Sequence, residues 1–252
     1  MIYIRSEKEI EKLRSVCRLA AETMEFIRDD VREGTTSLQV SEKARQYIES
    51  HGARAAFLGY NGFQGAICVS FNDEVVHGIP GRRVFQEGDI IKIDLGTYYD
   101  GFYADMARSF PVGTVTKETT DLIEITRRAF FEGAAKALPG NHIGDIGEAV
   151  QKLVEAHGFG VVRALVGHGI GRRLHEEPQI PNFSIPRNRG ALLKAGMVLA
   201  IEPMVNVGTF EVETMEDNWT VVTEDGKFSA HYENTCVVRE GYPEILTLMS
   251  GE

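Results

Sequence analysis

The sequence predicts an α+β fold in which an antiparallel sheet carries helices on its outer face, with an approximate internal symmetry. Three observations predict it. Two helix-like segments precede a block of strand-like segments, and that order recurs once in the second half. An Asp-Gly pair separates two β-rich segments, as in a tight antiparallel hairpin. No low-complexity stretch, Gly/Ser linker or short repeat divides the 252 residues, so the reading is a single domain, 1–252.

The first helix is predicted over "SEKEIEKLRSVCRLAAETMEFIRDDV". Ser6 with Glu9 makes a capping box, and Ile10, Leu13, Val16, Cys17, Ala20, Ala21, Met24 and Ile27 recur at helical spacing. The second is "TSLQVSEKARQYIESHG", stopped at Gly52. Residues 66–71 and 90–111 are rich in Ile, Val, Phe and Tyr and read as strands. In the second half "KETTDLIEITRRAFFEGAAKAL" is a helix ended by Pro139-Gly140, and "IGDIGEAVQKLVEAHG" one ended by Gly158. "MVLAIEP", "WTVVT" and "FSAHYENTCVV" follow as strands.

Composition narrows the function. Lys and Arg number 27 against 37 Asp and Glu, a formal charge of −10. A nucleic-acid groove needs clustered cations and is not expected; carboxylates gathered to hold cations are a different source of such a balance. The opening "MIYIRSEKEIEKLRSV" has no apolar segment, so neither a signal peptide nor a membrane anchor is expected there. Cys17, Cys68 and Cys236 are odd in number and far apart, which suits free thiols in a reducing cytoplasm.

The hairpin gives the sharpest local geometry. If Asp100-Gly101 forms a two-residue turn, Tyr99 faces Phe102 and Gly96 faces Asp105. Asp94 then shares a sheet face with Asp105 as a diagonal neighbour, about 7–8 Å away at the backbone. Gly96 leaves the gap between them free of a side chain. Two acids there can converge on a cation, or form a solvated face; these residues alone leave both open. Glu202 ends the apolar "MVLAIEP", and Glu233 shares a predicted strand face with His231 and Thr235. Each is weak alone, since an acid often simply terminates a strand.

The stretch "VGHGIGRRLHEEPQIPNF" sets His168 between glycines, with His175 seven residues on. It lacks the G-x-G-x-x-G dinucleotide pattern and a Walker lysine. Close glycines let the backbone pass near something while His168 points at it. One imidazole with four carboxylates suits Mn, Fe, Co or Zn.

At these residues the chain resembles the type I methionine aminopeptidases, metallopeptidases of family M24 with the pita-bread fold. "DEVVHGIP", "IDLGTYYDGFYAD", "GHGIGRRLHEEP", "IEPM", "TMEDNWTVVTEDG" and "SAHYENT" resemble that family's motifs in order. The resemblance implies five ligands for two divalent metal ions: Asp94, Asp105, His168, Glu202 and Glu233, with Asp105 and Glu233 shared by both. It implies that Glu202 handles the proton of the attacking water, and that His77 and His175 contact the substrate. It places the methionine pocket near Tyr60, Phe63, Cys68 and Trp219, although Trp219 read by itself serves core packing equally well. Phe57 and Leu174 depart from the commonest pocket rim, and "YADMARSF" leans toward the proline-specific relatives. The implied partners are the N-termini of nascent polypeptides, met by a cytoplasmic monomer, with ribosome association compatible and no membrane. The rival readings are an X-Pro peptidase and a non-catalytic binding protein of the same fold. The first usually carries an added N-terminal domain, and the second typically loses ligands that are all present here.

Overall fold

The structure is a computed structural model describing residues 1–252. Its helices are α1 (Glu7–Arg28), α2 (Ser37–Ser50), α3 (Lys117–Ala134) and α4 (Ile143–Ala156). The strands of the first half are β1 (Arg54–Ala55), β2 (Cys68–Phe71), β3 (Glu74–Val76), β4 (Ile90–Tyr99) and β5 (Phe102–Pro111). Those of the second are β6 (Gly160–Val161), β7 (Gly167–Gly169), β8 (Glu176–Ile180), β9 (Val198–Ile201) and β10 (Met204–Asn206), then β11 (Val212–Thr214), β12 (Val221–Thr223), β13 (Ser229–His231), β14 (Glu233–Val237) and β15 (Glu244–Ile245). No helix is long and apolar enough to cross a membrane.

Helix starts follow local chemistry. Ser6 and Glu9 form the predicted capping box, and Thr36 with Gln39 forms a second one. The apolar stripe of α1, from Ile10 through Met24 to Ile27, is buried, and truncating one such side chain to Ala costs about 2–5 kcal/mol. Gly52 takes φ 74° after α2, the left-handed stop that its position predicts. Helix α3 ends at Ala134, four residues before the predicted end at Leu138. There Lys136 N–H bonds to Gly133 O and Ala137 N–H to Ala134 O, so the last turn tightens to i,i+3 bonding ahead of Pro139.

The main sheet has nine strands in the order β1-β4-β5-β14-β9-β7-β8, with β2 also on β4 and β15 on β14; its strand pairs are antiparallel. Asp100 and Gly101 adopt φ 47° and 84°, the left-handed pair of a type I′ turn, and the register is the predicted one: Tyr99 faces Phe102 and Gly96 faces Asp105. Strand alternation then sorts the two faces. Thr97 Oγ1 donates to Val16 O of α1, so the odd positions of β4 face the helices and the even positions, Asp94 and Gly96, face away.

One predicted strand is two. "FSAHYENTCVV" breaks at Tyr232: β13 pairs with β10 in a separate three-stranded sheet, while β14 enters the main sheet between β5 and β9. The neighbouring segment breaks at the same level, at Glu202-Pro203 between β9 and β10, and Tyr232 N–H reaches Pro203 O. His231 therefore does not share a strand face with Glu233, and Thr235 does.

Candidate metal centre and active site

Thirteen side chains singled out in the sequence line one cavity of about 360 Å³. Asp94 comes from β4, Asp105 from β5, His168 from β7, Glu202 from just past β9 and Glu233 from the first position of β14. Adjacent strands thus deliver the five proposed ligands to one spot. His77, His175, Tyr60, Phe63, Cys68 and Trp219 enter from the loops and strands around it, with Phe57, Leu174 and Asn61 completing the wall. Asn61 is the lining residue that the sequence reading missed. It sits at φ 48° in the turn Tyr60–Gly62, a position signalled only by the "GYNG" glycines.

Ligand atoms of Asp105, His168 and Glu233 lie within 4.8 Å of one another. His168 Nε2 is 3.8 Å from Asp105 Oδ2 and 3.7 Å from Glu202 Oε1. Its other nitrogen, Nδ1, lies 2.9 Å from Gly169 O. A carbonyl only accepts, so the proton sits on Nδ1 and Nε2 presents a lone pair to the acids, the form that binds metal. Asp94 Oδ1, Asp105 Oδ1 and Glu233 Oε1 are buried without a hydrogen-bond partner. Buried polar oxygens are rarely left so. Acceptors alone, aimed at one another and at an imidazole lone pair, fit a divalent cation and little else.

The glycines play roles the sequence reading did not assign. A Cβ on Gly167 would meet Ala200 O at 2.4 Å, and one on Gly169 would meet Glu177 O at 2.3 Å. What passes close to them is the backbone of β9 and β8, which wedges His168 between its neighbours. Gly96 does not simply clear the gap between the two aspartates. The Phe57 ring fills the place of its side chain, 2.7 Å from where a Cβ would sit, and makes that space cavity wall.

The surrounding groups are fixed by short contacts. A 2.7 Å hydrogen bond joins the Tyr60 hydroxyl and His175 Nδ1, and the His175 ring lies 4.3 Å from that of His168. The loop carrying His175 is held by Glu176, which ion-pairs with Arg5 and accepts the Arg172 and Arg173 N–H groups. His77 has φ 60°, left-handed for a non-glycine residue, and its ring meets Trp219 edge-on at 6.4 Å. Such strain costs of order 1–3 kcal/mol and gathers at functional sites. Phe63 and Trp219 pack edge to face at 5.0 Å, so Trp219 belongs to both cavity wall and core margin. Behind the site Arg108 donates to Glu233 O, Asn234 Oδ1 and Glu252, bolting β5 to β14.

Burial dominates the electrostatics. It holds Asp105, Glu202 and Glu233 well above the usual carboxylate range, with mutual repulsion adding to it, and pushes Asp94 up to about 7. Burial lowers His168 to about 3 and His77 to about 4, so both are neutral imidazoles near pH 7. The acids' folded pKa values are raised, so their stabilising contribution is full below about pH 4, where the unfolded chain also keeps its protons. It is lost as the pH climbs toward and past the folded values, because the unfolded state then releases protons that the folded state retains. The lowered pKa values of His168 and His77 act in the opposite sense below about pH 6.5, so the loss is cleanest above it: the metal-free protein is expected to unfold at lower temperature at pH 8 than at pH 7. Divalent cations should reverse that loss and release protons on binding. Calorimetric titration in buffers of different ionisation heat measures the release.

The metallopeptidase family M24 model matches residues 11–240. A methionine aminopeptidase of Clostridium perfringens is 48% identical over 99% of this chain and 100% of its own length. The crystal structure of methionine aminopeptidase from Rickettsia prowazekii superimposes with a TM-score of 0.96 at 40% identity, covering 98% of this chain and 100% of that one. X-Pro aminopeptidase from Thermotoga maritima shares the fold alone, with a TM-score of 0.77 at 23% identity, and this chain covers 62% of it. With the acid-and-imidazole cluster on the inner face of the sheet, these matches settle the kinship: the chain belongs to metallopeptidase family M24.

Proposed function

We propose that this protein is a cytoplasmic, monomeric methionine aminopeptidase. It removes the first methionine from nascent chains and peptides whose second residue is small. The observation that carries the reading is the single cavity with an acidic floor and an aromatic, apolar wall. At about 360 Å³ it lies at the small end of ligand pockets, a size that suits one terminal residue. An unbranched methionine suits a wall of Phe57, Tyr60, Phe63, Cys68, Leu174 and Trp219, with sulfur–aromatic contacts of about 0.3–1.5 kcal/mol.

Asp94, Asp105, His168, Glu202 and Glu233 would hold two divalent ions, Co, Mn, Fe or Zn. Bound there, such ions would acidify a water and polarise the scissile carbonyl. Glu202 takes the water's proton and passes it to the leaving amine. The neutral His77 imidazole hydrogen-bonds the scissile amide, and His175 donates to the carbonyl oxygen as charge develops on it. Crowding beside His77 displaces a substrate with a bulky second residue; a shift of about 1 Å costs on the order of a hundredfold in rate.

The test is kcat/KM of the metal-loaded protein on Met-Ala-Ser, Met-Phe-Ser, Met-Lys-Ser and Ala-Pro-Ser. Met-Ala-Ser should lead Met-Phe-Ser and Met-Lys-Ser by about a hundredfold. Equal rates refute the size filter, and preference for Ala-Pro-Ser gives the site to X-Pro hydrolysis.

A further inference from the structure

We propose that His231 is a positioning residue for Glu202: its imidazole N–H is placed to close on one carboxylate oxygen and leave the other to face His168 and the acidic floor. This rests on the reading of Glu202 as part of a hydrolytic metal centre.

His231 is 1% exposed, and neither ring nitrogen has a hydrogen-bond partner. Leaving a buried imidazole unpaired is costly, so its aim is informative. Nε2 stands 3.7 Å from Glu202 Oε2, while His168 Nε2 stands 3.7 Å from Oε1. The carboxylate lies between two imidazoles that are not equivalent. His168 has its proton committed to Gly169 O and offers Glu202 only a lone pair. His231 Nδ1 has no acceptor competing for the proton, so Nε2 can carry it toward Oε2. One ring is built as a ligand and the other as a donor.

The distance supports a poised contact. At 3.7 Å the bond is not formed, and no water fits between; closing it takes a movement of about 0.8 Å. Glu202 is the partner able to move, since the backbone of His231 is clamped. Its N–H donates to Ser109 Oγ, Ser109 Oγ donates to its carbonyl, and it faces Met204 across β10. The break at Tyr232 is what aims it, since a continuous strand would direct His231 alongside Glu233. Held by one oxygen, Glu202 keeps a fixed lone pair for metal or for the water's proton. Such outer partners of ligating carboxylates are worth about 10–100-fold in affinity or activity.

The experiment uses full-length wild type, His231→Gln, whose amide restores a donor, and His231→Leu, which has none. Nitrogen-15 NMR of the zinc-loaded wild type, in which Glu202 is a carboxylate, should show the His231 proton on Nε2. Zinc titration should show about 10–100-fold weaker binding in His231→Leu and near wild-type binding in His231→Gln. On Met-Ala-Ser the Leu variant should lose kcat more than KM. A proton on Nδ1, or equal zinc losses in the two variants, overturns the proposal. If His231→Leu fails to fold, the wild-type tautomer decides alone. Wild type inert on Met-Ala-Ser with these NMR and zinc results would count against the peptidase reading and leave the His231 assignment standing.

Discussion

Glu233→Ala is expected to abolish turnover and to leave at most one weakened metal site. Glu233 is 2% exposed and begins β14, where its ligand atom lies within 4.8 Å of those of Asp105 and His168. If it serves both ions, its removal takes away several kcal/mol of metal-supplied stabilisation, or on the order of a thousandfold or more in kcat. Unfolding has to be separated from loss of chemistry, and the sign of the electrostatics does that. In the metal-free protein Glu233 faces Glu202 and Asp94, which repel its charged form. The isosteric Glu233→Gln removes that repulsion and should melt no lower than metal-free wild type at pH 7.5, while equally inactive. Two tight metal sites with ordinary turnover in either variant would remove Glu233 from the centre.

His77→Asn and His175→Ala should keep both metals and lose about 10²–10⁴ in kcat. Neither ring belongs to the acid cluster, and both line the cavity above it. Asn is the better replacement at 77 because it tolerates the φ of 60° there, so the backbone stays in place. Metal content measured beside kcat separates the roles. Loss of metal in a folded variant would make that histidine a ligand.

The sequence was most legible where short-range chemistry decides. The Asp100-Gly101 turn fixes a register by counting, and the count brings Asp94 and Asp105 to one face. The capping box at Ser6 marks a helix start from four residues. The break at Tyr232 was not legible in "SAHYENT", which contains neither Gly nor Pro. It lies beside Pro203 across the sheet, a residue visible in the sequence but not as the partner of Tyr232. The orientation of His231 was hidden for the same reason. So was the end of α3, where the tightened turn bonds Lys136 and Ala137 back to Gly133 and Ala134. The glycines around His168 advertised close approach, but not that two neighbouring strands do the approaching.

The placement of β14 between β5 and β9 has a consequence for how the chain comes to exist. Asn234 pairs with both Met106 and Ile201, so a late segment joins an early hairpin to a later strand. Until β14 is made, the chain holds two half-sheets, with open edges along β5 and along the apolar β9 that the finished fold wholly buries. Edges of that kind recruit other strands, and pairings this distant in sequence are slow to form. Asp105 and His168 likewise wait for Glu233 before a cation can be held by all three. The zipper strand of the fold and the last carboxylate of the site arrive together, so closing the sheet and arming the chemistry become one event in the birth of the molecule.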